Sequence, residues 1–140
     1  MKIFLDTSAL IAYYNTNDKH HKEAAEIMDK IRAGDIPLTR FYVTDYIFDE
    51  TVTFIEMVLG KHELAKDVGE ALLSSPFTSM LRIDEEAFQD AWTRFTTAQG
   101  TSFTDCTSFS MIERYGITQV FTLDRHFREA GFNTIPPARR

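Results

Sequence analysis

The first apolar run of the chain, Ile3-Phe4-Leu5, stops on Asp6-Thr7-Ser8 and is followed at once by Ala9-Leu10-Ile11-Ala12. A short unbroken apolar run bounded by polar residues reads as a buried strand, so residues 2–5 are predicted to turn directly into a helix. Ala24, Ala25, Ile27, Met28 and Ile31 recur at helical spacing, and Gly34 closes that second helix. Phe41-Tyr42-Val43 is a second strand. Thr44 or Asp45 then caps a helix running through Ile47, Phe48, Phe54, Ile55, Val58 and Leu59 to Gly60. Residues 63–73 form a further amphipathic helix, and residues 80–83 a third strand. Asp84 caps a helix whose Phe88, Ala91, Trp92 and Phe95 make an apolar stripe, expected to face the core. Ser102 opens the next helix, which Gly116 stops. Residues 119–123 are a fourth strand ending on Asp124, residues 125–130 a short helix, and Thr134-Ile135 an edge strand before Pro136-Pro137.

Strands that alternate with helices in this way indicate an α/β fold with a parallel sheet covered on both faces. Right-handed crossovers then bring strand ends of the same sense to one edge, where open α/β sheets place their ligands. Asp6 and Asp124 both follow apolar strands at once. Asp105 lies in the first turn of a helix that begins on the same edge, and Ser102 with Asp105 has nearly the spacing of a capping box. Glu50 shares a helix face with Ile47, Thr51 and Phe54 at i, i+3, i+4 and i+7. The neighbouring Asp49 points about 100° away around the 3.6-residue turn, so the inward carboxylate is Glu50. Taken singly, each of these acids has an ordinary explanation as a cap or a solvated side chain. Four of them from four remote segments at one edge are a site.

Charge sharpens that expectation. With 15 basic against 21 acidic side chains the formal net charge is −6, the opposite of a plain electrostatic nucleic-acid binder. Carboxylates gathered without an intervening cation cannot all ionise. Oxygen-only donors suit Mg²⁺ or Mn²⁺, and a water activated by such an ion attacks phosphodiesters. The ion also reverses the local charge, so an acidic protein can handle RNA. Cys106 is the one cysteine, too few for an internal disulfide or a zinc site, which fits a reducing cytoplasm. Three apolar residues after Met1-Lys2 are too few for a signal-peptide core or a membrane span. No linker, repeat or low-complexity stretch divides the 140 residues, so residues 1–140 are expected to be one domain. Lys19, His20, His21 and Lys22 form a polar loop, and Arg125, His126 and Arg128 follow Asp124; both groups are read as either solvated or phosphate-contacting.

The segments Ile3-Phe4-Leu5-Asp6-Thr7-Ser8-Ala9-Leu10, Asp49-Glu50-Thr51, Ser102-Phe103-Thr104-Asp105 and Thr122-Leu123-Asp124-Arg125-His126-Phe127 together resemble PIN-domain nucleases. The likeness is strongest to the VapC-type ribonuclease toxins of toxin–antitoxin pairs. That resemblance implies a PIN-like three-layer α/β/α sandwich with a central, mainly parallel sheet. It implies a metal-dependent endoribonuclease with Asp6 and Asp105 as the principal ligands of Mg²⁺ or Mn²⁺. Glu50 and Asp124 complete the acidic pocket, and Ser8 and Thr122 are its small polar supports. Its implied partners are an RNA substrate, a cognate antitoxin that blocks the site, and a second copy in a homodimer. A PIN nuclease of RNA maturation and a non-cutting RNA- or protein-binding PIN module remain alternatives. Two other strand-plus-Asp enzymes fit less well. Haloacid dehalogenase-type phosphatases need a second acid where Ser8 stands, and response-regulator receivers need an acidic pair where Leu5 precedes Asp6.

Overall fold

The structure, a computed structural model, describes residues 1–137. Its elements are β1 (Lys2–Leu5), α1 (Thr7–Tyr14), α2 (His21–Ala33), β2 (Arg40–Thr44), α3 (Asp45–Met57), α4 (His62–Ser74), β3 (Thr78–Leu81), α5 (Glu85–Thr97), α6 (Phe103–Arg114), β4 (Gln119–Phe121), α7 (Arg125–Glu129) and β5 (Thr134–Ile135). The strands form one sheet in the order β3-β2-β1-β4-β5, and every pairing is parallel. Helices cover it in the α/β/α arrangement. Among the described residues no helix is long and apolar enough to cross a membrane.

The apolar first strand takes the centre of the sheet because its residues are buried on both faces: Ile3, Phe4 and Leu5 are all in the core. Leu5 pairs level with Phe121, and the Asp6 N–H donates to the Phe121 carbonyl at 3.1 Å. Asp6 is thereby set beside Thr122, one step beyond the ladder. Phe127 anchors the far side of this junction. It is fully buried, 6.4 Å from Phe4 and 5.1 Å edge-on from Phe109 between ring centroids, so α7 is held by packing despite its five residues.

Three sequence expectations are corrected. The third strand lies two residues earlier than its apolar run, because pairing of Thr78–Leu81 with Phe41–Thr44 sets its register. Ile83 instead gives its N–H to Asp45 Oδ1 at 3.1 Å. The fourth strand ends at Phe121, since the Leu123 N–H is taken by Ser8 Oγ at 2.9 Å. Of the α5 stripe only Ala91 is buried in the core; Phe88, Trp92 and Phe95 remain 42%, 51% and 39% exposed and gather around Phe103. Helical spacing identifies a shared face but not what that face meets.

Candidate active site

Each acidic side chain owes its position to a chain turn at the carboxyl edge of the sheet. Asp6 ends β1 and precedes α1. Its Oδ2 accepts hydrogen bonds from Ser8 Oγ at 2.6 Å and Thr122 Oγ1 at 2.8 Å, with a longer one from the Ser8 N–H at 3.4 Å. Each hydroxyl has a single proton, so with Asp6 as acceptor the other contacts use oxygen lone pairs. Ser8 Oγ accepts from the Leu123 N–H at 2.9 Å and Thr122 Oγ1 from the Asp124 N–H at 2.9 Å. Ser8 and Thr122 thus bind the β1–α1 turn to the β4–α7 turn through the Asp6 carboxylate.

Asp105 enters from α6. Its N–H donates to Ser102 Oγ at 3.0 Å, which caps the helix. Its carboxylate accepts no hydrogen bond among the described residues and is buried, 6% exposed. Glu50, half-buried on α3, lines the same cleft, while Asp49 is exposed and accepts from Thr53 Oγ1 at 3.0 Å. The buried Thr51 next to Glu50 reaches Thr7 Oγ1 at 3.4 Å and joins α3 to α1. Asp124 caps α7, its Oδ1 accepting the His126 N–H at 2.9 Å. Asp6, Glu50, Asp105 and Asp124 all line one cleft of about 660 Å³.

The electrostatics follow from this gathering. Burial pushes the Asp6 carboxyl from 3.8 to about 6, against the lowering by the Ser8 and Thr122 hydrogen bonds and with added repulsion from Asp124 and Glu50. Burial likewise pushes Asp105 to about 7, reinforced by Asp6, Asp124 and Glu50 and opposed by His126. Burial is the larger cause of both shifts and repulsion among the acids adds to it, so the cleft disfavours two charged carboxylates at once.

His126 is the residue whose role the sequence did not separate from that of its basic neighbours. Its ring lies inside the cleft, with Nδ1 2.7 Å from Asp124 Oδ1 and 3.7 Å from Asp105 Oδ2. The Nδ1 atom is buried, and the close approach to Asp124 lacks hydrogen-bond alignment, so it has no hydrogen-bond partner. The spacing holds a usable signal: a capping Asp bonds the N–H two residues on, and that places the side chain at 126 beside the carboxylate at 124. One ligand atom each from Asp105, Asp124 and His126 fall within 4.8 Å of one another. Those three donors fit a divalent cation, two acids and one nitrogen without a hydrogen-bond partner, while Asp6 and Glu50 line the same cleft outside that group.

The remaining basic candidates separate. Lys19 and His20 line the acidic cleft, and His20 continues with Arg128 into an adjoining cleft of about 210 Å³ that shares Asp124. His21 is structural, its Nδ1 2.9 Å from the Ala12 carbonyl. Arg125 points away and pairs with Glu129 at 3.5 Å. Lys22 is exposed and lines neither cleft.

Against known proteins, the family model of the PIN domain matches residues 3–133. VapC20 of Mycobacterium tuberculosis, described as a toxin that cleaves the sarcin–ricin loop, superposes with a TM-score of 0.81 at 25% identity, over 93% of this chain and 95% of that one. FitAcB from Neisseria gonorrhoeae shares the fold at a TM-score of 0.65 and 16% identity, over 94% and 95% of the two chains. No curated protein matches the chain by sequence.

Proposed function

The chain belongs to the PIN-domain family, and we propose that it is a metal-dependent endoribonuclease of the VapC type, the toxin of a toxin–antitoxin pair. The observation that carries this reading is the gathering of Asp6, Glu50, Asp105 and Asp124 in one cleft with two carboxyl pKa values driven up to about 6 and about 7. Uncompensated negative charge of that kind is relieved by a bound cation. Asp6 and Asp105 are its principal ligands, with Glu50 and Asp124 completing the pocket, and the ion is Mg²⁺ or Mn²⁺. When bound, it supplies Lewis-acid activation of water and charge neutralisation at the phosphate.

The chain's own groups provide position. Ser8 and Thr122 fix the Asp6 carboxylate at one oxygen, and the Ser102 cap fixes the helix turn that carries Asp105. Lys19 and Arg128, at and beside the cleft, supply positive charge for the RNA backbone on either side of the cut, and the His20 ring lies between them. A substrate phosphate needs both the rim cations and the ion, because the protein as a whole repels it at a net charge of −6.

Residues 1–140 act as one PIN domain in the cytoplasm, with a cognate antitoxin that covers the cleft and a second copy as homodimer partner. Light scattering of the purified chain, alone and with the product of any small reading frame found beside its gene, tests both partners. The deciding experiment is cleavage of a panel of single-stranded and structured RNAs, with Mg²⁺, Mn²⁺ or chelator, for wild type and Asp105→Asn. Cutting that needs metal and disappears in the variant is expected. Equal cutting by a nuclease-free preparation of the variant refutes the assignment.

A further inference from the structure

We propose that His126 is itself a metal ligand through Nδ1, making the centre a mixed nitrogen–oxygen site that prefers Mn²⁺ to Mg²⁺. The inference rests on the cation site proposed above, and its own support is the state of one atom. His126 Nδ1 is buried, has no hydrogen-bond partner, and stands between two acids at 2.7 Å from Asp124 Oδ1 and 3.7 Å from Asp105 Oδ2. Donors around one ion with bonds of about 2.1 Å lie about 3 Å apart when adjacent and about 4.2 Å apart when opposite. The observed 2.7 Å is slightly shorter than an adjacent pair and 3.7 Å lies between the two values, so small shifts of the side chains bring all three donors onto one ion. An imidazolium merely paired with Asp124 turns its N–H along the line between the two atoms, and at 2.7 Å this ring does not.

The ring is also well placed by its surroundings. The His126 N–H is tied to Asp124 Oδ1, and Phe127 next to it is locked between Phe4 and Phe109. Nitrogen at this position changes what the site selects. Mg²⁺ takes oxygen donors and gains little from imidazole, whereas first-row transition ions accept both. An all-carboxylate pocket leaves the choice between Mg²⁺ and Mn²⁺ to availability; one imidazole tilts it to Mn²⁺.

The test uses Mn²⁺ alone on the full chain, without RNA. Electron spin-echo envelope modulation of the bound ion is expected to show coupling to a histidine ¹⁴N in wild type and in His20→Gln, the other imidazole lining the cleft. The coupling should vanish in His126→Gln, with Mn²⁺ affinity about tenfold weaker and Mg²⁺ affinity, from competition, changed less than threefold. His126→Asp, which returns an oxygen donor, should bind Mn²⁺ again but without the nitrogen signal. Mn²⁺ bound to wild type with no nitrogen coupling, or with coupling unchanged in His126→Gln, overturns the ligand assignment and leaves the acidic site standing. A wild type that binds no Mn²⁺ at all removes the site reading and this inference with it.

Discussion

Replacing Asp6 by Asn should stabilise the metal-free protein at neutral and alkaline pH. The carboxylate is 3% exposed, and its pKa in the folded chain is about 6 against 3.8 for the free group. A folded pKa above the unfolded one means the native state holds a proton that the unfolded chain has already released. Stability from this group is therefore intact below about pH 4, declines as pH rises, and is fully lost above about pH 6. The difference between the two values corresponds to about 3 kcal/mol at pH 8. Asn removes the charge and keeps an oxygen for Ser8 and Thr122, while its amide protons find no assured acceptor, at a cost of about 1 kcal/mol. The net expectation is a gain of about 2 kcal/mol, or roughly 6 °C in Tm for a chain of this size. Thermal melts in chelator from pH 4.5 to 8.5 test it. The variant should match or fall slightly below wild type at pH 4.5 and exceed it at pH 8. With Mn²⁺ at 100 times its Kd the order should reverse, since wild type alone gains about 2.7 kcal/mol from the ion. A variant that melts lower than wild type by the same margin at both pH values in chelator refutes the reasoning, and makes Asp6 chiefly a helix cap.

Thr122→Val, close in shape, leaves the Asp124 N–H without its acceptor and Asp6 without one donor; a loss of about 1–3 kcal/mol in urea unfolding is expected, with Mn²⁺ binding about tenfold weaker or more, and unchanged values on both counts refute its supporting role. Lys19→Gln with Arg128→Gln, measured on an Asp105→Asn background so that RNA stays intact, should weaken RNA binding and lower the salt slope by roughly 0.7 for each phosphate that these cations neutralise. An unaltered slope assigns both side chains to solvent. Phe127→Ala should cost about 3–5 kcal/mol in urea unfolding, because a fully buried ring is removed from between Phe4 and Phe109. A cost under about 1 kcal/mol contradicts the packing described.

The central strand was readable from sequence because Ile3-Phe4-Leu5 is buried on both faces and needs no partner to be recognised. The same holds for the helix caps at Asp84 and Ser102, and the choice between Thr44 and Asp45 falls to Thr44, which accepts the Ile47 N–H. The parallel character of the sheet followed from alternation, and in the structure every pairing is parallel. What escaped was set by interactions between remote segments. The hydrogen bond that the Leu123 N–H donates to Ser8 Oγ pulls Leu123 out of the strand that its side chain extends, and pairing with β2 moves β3 off its apolar run. The α5 aromatics share a helical face with no internal sign that it stays half exposed. Composition groups His126 with Arg125 and Arg128 because it registers charge, whereas the cap geometry at Asp124 directs His126 into the acidic cleft, with Arg128 in the adjoining cleft and Arg125 turned to Glu129.

From sequence, helix cap and ligand looked like competing roles for these acids; in the structure they are combined. Asp6 precedes α1, Asp105 lies in the first turn of α6 and Asp124 precedes α7, so three of the four acids sit at helix N-termini. There the helix dipole and free N–H groups favour negative charge. Among the described residues, Asp6 accepts all its hydrogen bonds at Oδ2 and Asp124 accepts its one at Oδ1. Each is held by one oxygen and keeps the other uncommitted. Asp105 commits neither, because the Ser102 hydroxyl takes over the capping. That division explains how the fold tolerates its charge excess without cancelling it. Hydrogen bonds fix the Asp6 and Asp124 carboxylates by one oxygen each and hold Asp105 only through its backbone, and none of the three carboxylates is fully satisfied among the described residues. Ala at position 122 or 8 would loosen the holding and leave the excess, whereas Asn at position 6 or 105 removes the excess and largely keeps the holding. Melts in chelator therefore should move in opposite directions for the two classes, downward for Ser8→Ala and Thr122→Ala and upward at pH 8 for Asp6→Asn and Asp105→Asn. Parallel movement of all four would mean that these acids are bound into the fold as ordinary caps.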